Sequence, residues 1–343
     1  MIGSHWVSVL GALFIALANY DAIKTTLSAS HSGPITNRLI SSVWALLLAI
    51  HQRKRCHGLL SAVGPWLTVG LISIWLLLAL LGWWLLFCSA SDAVVNANTH
   101  EPANLIQRLY YTGYTLTTLG YGDYVPGSDA WRVTPMLAAA NGFFLFTLTI
   151  TYMLSIISNV TQKRHVALSI HALGETPYHI LDATHDHGKY TSLGQQLQPL
   201  QQSISQLGQQ HLAYPILHYY HDPQSQKSLP VALARLYQAL LIAQAACTDI
   251  DPVTRQQLKT GLVTLENFLA TLDSAFIKAS TIQPEVPSLA EYTRLPGITA
   301  SRQALHHHLT GRQQRVLSAY VLKDGWEWRT VWQPKGPNHA LSL

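Results

Sequence analysis

The residues whose types and spacing could do chemistry are Thr117-Thr118-Leu119-Gly120-Tyr121-Gly122-Asp123. Two glycines flank a tyrosine, so the chain there can take backbone angles closed to other residues. Alternating such angles would aim successive carbonyl oxygens to the same side. The Thr118 hydroxyl adds one more oxygen at the end of the row. Oxygens from several copies of this string could replace the water around a bare cation, which is how backbone rings build an ion filter. The preceding residues, 104–118, are apolar and aromatic. They are too short to span a bilayer and too apolar for a solvated loop, so a re-entrant helix is expected, with its backbone hidden in protein or facing water. Its carboxyl end carries partial negative charge and favours a cation over an anion.

The elements that must position this string are legible in the charge pattern. The chain has 343 residues, 48% hydrophobic, with only 11% Asp, Glu, Lys and Arg. Residues 1–160 hold 12 of the 39 charges and the remainder hold 27. That excludes a disordered chain, a collagen-like chain and a disulfide-stapled mini-protein, and argues against a wholly soluble enzyme. The net charge is +5 without a long basic run carrying interleaved aromatics, so no nucleic-acid partner is expected. Three widely spaced cysteines, Cys56, Cys88 and Cys247, form no CxxC and no zinc set.

Residues 56–91 and 133–162 contain no charged side chain, and neither do residues 1–20. About 20 apolar residues cross a hydrocarbon core as a helix. Spans are therefore expected at 59–88 (outer helix), at 132–160 (inner helix) and in the first run, read as an uncleaved membrane helix because no Lys or Arg precedes it. The dozen apolar residues Leu39–Ile50 lie between Arg38 and the basic cluster ending at Arg55. They are short for a span and read as an interfacial amphipathic helix. Arg53, Lys54 and Arg55 before the outer helix, with Lys163 and Arg164 after the inner one, put both ends in the cytoplasm. The expected division is 1–58 for the N-terminal membrane and interfacial helices, 59–162 for the pore domain with pore helix and string at 104–123, and 163–343 for a mainly helical cytoplasmic domain. In that last part, helices are expected over 192–212, 230–247, 252–273 (with Asp251 as cap) and 301–323.

The segment Leu116–Gly122 resembles the potassium-channel selectivity filter: TTLGYGD is close to the signature TTVGYGD, with Leu119 where valine is commonest. Tyr110 and Tyr111 match the paired aromatic positions that support the filter. Tyr114 stands where some family members keep a glutamate, and Gly142 matches the hinge glycine of the inner helix. The resemblance covers about residues 60–162 and implies an all-α membrane protein of the tetrameric pore-loop fold, in a cell membrane of the bacterial inner-membrane kind. K+ would be held by Thr118, Leu119, Gly120, Tyr121 and Gly122, supported by Thr117, Asp123, Tyr110 and Tyr111. One filter string per chain implies a homotetramer, because four copies are needed around one axis. The only small-molecule requirement is the permeant K+; no cofactor and no catalytic residues are expected.

Below Gly142, the residues Phe143, Phe146, Ile150 and Leu154 recur at three- and four-residue intervals and could narrow into an apolar gate. No span carries arginines at three-residue spacing, so no voltage sensor is expected. The region 163–343 has no GxGxxG following a strand, and its ligand is unread. Twelve of the 17 histidines lie after residue 160. His179, His185 and His187 lie near Asp182 and Asp186, and His306, His307 and His308 are adjacent; a metal site or a pH response are the chemistries they raise. Two other readings stay open: a weakly selective cation channel, because of Leu119, and a membrane-tethered sensor or metal-dependent enzyme built on the C-terminal region.

Overall fold

The computed structural model describes residues 2–28, 32–54, 56–187, 189–246, 250–275, 277–286, 288–298 and 309–333. These are mainly helical: α1 Ile2–Leu27, α2 Pro34–Arg53, α3 His57–Cys88, α4 Leu105–Leu116, α5 Val133–His171, α6 Pro177–Thr184, α7 Thr191–Ala213, α8 Leu229–Ala246, α9 Pro252–Ala275 and α10 Arg312–Lys323. Two-residue strands, β1 Val95–Asn96 and β2 Tyr124–Val125, pair antiparallel. Three stretches, His5–Leu27, His57–Cys88 and Asp129–His171, are long and apolar enough to cross a membrane.

The chain forms two compact units, one of residues 1–41 and 65–156, the other of 42–64 and 157–343. The boundaries fall inside α2, α3 and α5, so each of these helices is divided between the two units. The inner helix continues past Val160 to His171, and its extension buries Val166, Ala167 and Ile170 in the second unit. Lys163 does not end the helix: its buried ammonium donates to Leu217 O at 3.2 Å and Tyr220 O at 2.8 Å.

In the first unit, α1 lies against α3 at two glycines. A Cβ on Gly11 would meet Gly82 O at 2.7 Å, and one on Gly82 would meet Gly11 O at 2.8 Å. Small residues allow such close approach where lipid supplies no hydrophobic drive between helices. Polar groups complete the packing. Asn141 Nδ2 donates to Asn19 Oδ1 at 2.7 Å, and Trp83 Nε1 donates to Asn141 Oδ1 at 2.9 Å, so α1, α3 and α5 share one hydrogen-bonded chain. Asp21, fully buried in α1, accepts from Ile35 N at 2.8 Å, from the backbone N and hydroxyl of Thr36, and from Trp75 Nε1 at 2.8 Å. The carboxylate thus caps the first turn of α2, where unpaired N–H groups and the helix dipole favour a negative charge.

In the second unit, α8 is apolar nearly all round and accordingly buried, with α6, α9 and α10 against it and α7 packed on α9. Its two buried polar side chains are partnered: Gln238 exchanges amide bonds with Gln314 of α10 at 2.6 and 3.1 Å, and Arg235 donates to Thr330 O at 3.0 Å. The helix expected as interfacial is longer than Leu39–Ile50, and its second half belongs to this unit. Trp44 is buried edge-on to Tyr219 and donates to Lys323 O at 3.2 Å. Its apolar face is therefore covered in part by protein. The helix expected over 301–323 is seen from Arg312; residues 301–308, with His306, His307 and His308, lie outside the described residues. After Gly325 the chain forms a 3-10 turn, Trp328–Val331, rather than a strand.

Candidate functional site

The pore helix α4 starts at a capping box. Gln107 N donates to Asn104 Oδ1 at 2.9 Å, and Asn104 N to Gln107 Oε1 at 2.8 Å. One turn on, the buried Arg108 fans out: Nε donates to Ala103 O at 2.8 Å, Nη2 to Ser91 O at 3.0 Å, and Nη1 to Ala90 O at 2.6 Å and to Phe87 O. The last carbonyls of the outer helix would otherwise be orphans. The planar guanidinium reaches one of them, Phe87 O, together with Ala90 O and Ser91 O just past the helix, which ties the start of α4 to the end of α3.

The string that follows α4 has an alternating backbone. Thr118, Gly120 and Gly122 have φ of 59°, 60° and 81°, whereas Leu119 and Tyr121 between them do not have positive φ. In an ordinary strand successive carbonyls point to opposite sides; changing the hand at every second residue brings them toward one. Glycine takes such angles without strain, but β-branched Thr118 is there only because its surroundings hold it. The first three amide hydrogens of the string are bonded back to α4. Thr117 N donates to Gly113 O, Thr118 N to Thr115 O and Leu119 N to Tyr114 O at 2.8 Å, all in the last turn of α4. Residues 117–123 are exposed in the single chain. The carbonyl row is therefore what the chain offers to solvent or to a neighbour.

Aromatic rings back the string. Tyr114 is buried, lies 5.3 Å from Tyr111 and 5.9 Å from Tyr121, and donates its hydroxyl to Tyr124 O at 2.8 Å. Tyr110 stacks on Tyr121 at 6.2 Å. Tyr110 and Tyr111, singled out as filter supports, are thus brought together with Tyr114, which takes the larger mechanical part. On the far side, β2 pairs with β1, Ala97 N donates to Asp123 O at 2.9 Å and Gly127 N donates to Asp92 O at 3.0 Å. The outer end of the string is clamped to the loop that follows α3.

Gly142 faces the inner end of α4. A Cβ there would sit 2.0 Å from Leu116 O, so glycine is required for contact, whatever bending the helix undergoes. Phe143, Phe146, Ile150 and Leu154 share an exposed apolar stripe of α5, and are not packed on other helices of the same chain. The histidines 179, 185 and 187 do not assemble. His185 reaches Asp182 at 3.9 Å, and no group of three metal-ligating side chains occurs among the described residues.

Sequence reading missed Arg108, Asp21 and the Asn19–Asn141–Trp83 chain. The first two left a signal: Arg108 is the one charge between Glu101 and Asp123, and Asp21 the one acid in the first long apolar helix. Lone charges in such surroundings require buried partners.

Residues 70–159 match the family model for an ion channel, Ion_trans_2. The chain is also 30% identical over 323 residues, 92% of its length and 93% of the other's, to "Uncharacterized membrane protein YdjJ" of Bacillus subtilis (strain 168). No solved structure matches. The chain therefore belongs to the family of that Bacillus membrane protein, and its residues 70–159 are a pore-loop domain of the two-transmembrane ion channel family.

Proposed function

We propose that this chain is one of four identical subunits of a potassium-selective channel, with residues 163–343 in the cytoplasm. The observation that carries this reading is the alternation of backbone hand at Thr118, Gly120 and Gly122. Four such rows around one axis supply cages of neutral oxygen, the ligand type that replaces water around K+. The exposed stripe Phe143, Phe146, Ile150 and Leu154 then lines the cavity below the filter, and the exposed apolar residues of α4 and α5 meet neighbouring subunits. The open cleft behind the string, lined by Tyr114, Thr118, Gly120, Gly122, Pro135 and Met136, is where a neighbour would close the ring. Basic residues Arg53, Lys54 and Arg164 flank the spans on one side, which supports a cytoplasmic C-terminal region.

Potassium flux from the purified chain in liposomes tests the reading. Barium-sensitive K+ flux, lost in Gly120→Ser, is the expected result; no flux from correctly inserted protein overturns it. Leu119, exposed at 61%, departs from the usual filter residue, and this favours a second reading, a weakly selective cation pore. Reversal potential in mixed K+ and Na+ separates the two, since equal permeability leaves only the second.

A further inference from the structure

The second unit contains a buried chain of titratable groups that neither ion conduction nor the gate uses. His57 is the first residue of α3, and His221 lies in the loop before α8. Their ring atoms His57 Nδ1 and His221 Nε2 are 3.0 Å apart, so one proton is held between them. The rings are stacked at 5.1 Å, and Trp326 stacks on His57 at 4.5 Å and lies 5.8 Å from His221. The second nitrogen of His221, Nδ1, faces Asp324 Oδ2 at 3.6 Å. Both side chains are fully buried or nearly so. His221 Nδ1 and Asp324 Oδ1 make no hydrogen bond.

A ring N–H against a carboxylate closes to about 2.8 Å. At 3.6 Å, His221 Nδ1 and Asp324 Oδ2 stand beyond hydrogen-bond distance, close enough for a proton placed on Nδ1 to draw them together. Asp324 is meanwhile held by Ser228 Oγ, which donates to Oδ2 at 3.1 Å, and by Lys163 Nζ at 4.0 Å from Oδ1.

The other charged and titratable groups around the pair are accounted for. From α2, His51 lies edge-on to His57 at 4.6 Å. Its Nδ1 accepts from Cys56 N at 3.1 Å, and its Nε2 lies 3.1 Å from Gly325 O. From α5 come Lys163 and Arg164; Arg164 is paired with Asp222 at 3.0 Å. Lys323, at the end of α10, precedes Asp324.

We infer that His221, set between His57 and Asp324, is a proton-binding site whose occupancy is read by the ends of α3 and α5. Protonation of Nδ1 turns His221 into an imidazolium that donates to Asp324 on one side and to neutral His57 on the other. The carboxylate then moves toward His221 and away from Lys163. The inner helix loses an ionic partner at Lys163, while the start of α3 is held more firmly through His57. The consequence for conduction rests on the channel reading above; the proton site does not.

The full-length chain in liposomes is the test, with pH varied from 8 to 5.5 on the side of the C-terminal region, the interval in which imidazoles change charge. K+ flux should change about fivefold or more across it. His57→Gln and His221→Gln should conduct at pH 8 and lose the response. Asp324→Asn, which removes the charge facing His221 Nδ1, should weaken the response. Flux that is flat in the wild type, or that titrates unchanged in the two glutamine variants, overturns the inference. Histidine-selective nitrogen NMR of the detergent-solubilised protein is independent of flux. One ring should gain a proton in this interval, and its signal should be absent in His221→Gln; a spectrum in which every titrating ring survives that substitution overturns the site even if the chain does not conduct.

Discussion

Gly142 is seated against the carbonyl of Leu116, the last residue of the pore helix, so closely that a methyl group would lie 2.0 Å from the oxygen. The contact sets the inner helix against the base of the carbonyl row, which starts two residues later at Thr118. The two elements cannot move closer without the other responding. In Gly142→Ala the helix must retreat or the end of α4 must shift. The expected result is membrane-inserted protein with K+ flux reduced tenfold or more, and a stability loss of about 1–3 kcal/mol, the usual cost of overpacking. Wild-type flux and melting temperature in this variant would show that the contact does not constrain the filter.

Arg108 answers a different need, the unpaired carbonyls at the end of the outer helix. Lysine keeps the charge, but its single nitrogen cannot reach Ala103, Phe87, Ala90 and Ser91 together. Arg108→Lys should therefore melt lower, by an amount corresponding to about 2–3 kcal/mol. Arg108→Met should be worse. Thermal unfolding in detergent checks both, and a lysine variant as stable as the wild type would mean that charge alone suffices.

The two cases show why part of the molecule was legible in sequence and part was not. The string 117–123 carries its signature in seven adjacent residues, and the spans announce themselves by the absence of charge. Arg108 is visible as an oddity, but three of its four backbone partners lie 17 to 21 residues away, which leaves no mark in composition. His221 and His57 are 164 residues apart, so adjacency drew attention to His179, His185 and His187 instead, which the fold leaves dispersed. The second helix was ambiguous because its apolar face is covered partly by Tyr219 and the end of α10, a surface that amphipathic pattern alone does not distinguish from a lipid headgroup region.

Tyr114 joins α4 to the segment just after the string 117–123 through its hydroxyl, which donates to Tyr124 O at 2.8 Å. Tyr114→Phe keeps the ring against Tyr111 and Tyr121 and removes only that bond. Stability should fall by about 1 kcal/mol. The reversal potential should shift toward that of a less selective pore, because the outer carbonyls lose one restraint. An unchanged reversal potential would place the restraint in β1 and β2 instead.

Asp21 gathers donors from α2 and α3 onto one buried carboxylate. Replacing it with leucine strands the Trp75 indole and the first amides of α2 in an apolar setting. The expected loss is about 3–5 kcal/mol, enough to prevent recovery of folded protein. Asp21→Asn, whose oxygen still accepts, should be recovered but less stable. Equal yields of the leucine variant and the wild type would contradict the capping role.

The buried histidine His211 fixes how the C-terminal unit responds to acid. Its Nδ1–H donates to Leu207 O at 2.8 Å, and its ring lies 4.9 Å from that of His218. Burial, with Lys163 nearby, pushes its pKa down to about 3, and burial also holds His218 well below the usual range. Unfolded, an imidazole titrates near 6.5. Between these values the unfolded chain binds more protons than the folded one, so stability rises with pH. The contribution is fully present above about 6.5 and is lost progressively as pH falls toward 3. Melting temperature should therefore drop between pH 7.5 and 5, and His211→Leu should shrink that drop at some cost in stability at pH 7.5, where the bond to Leu207 is gone. A drop as steep in the variant as in the wild type would assign the acid sensitivity to other groups.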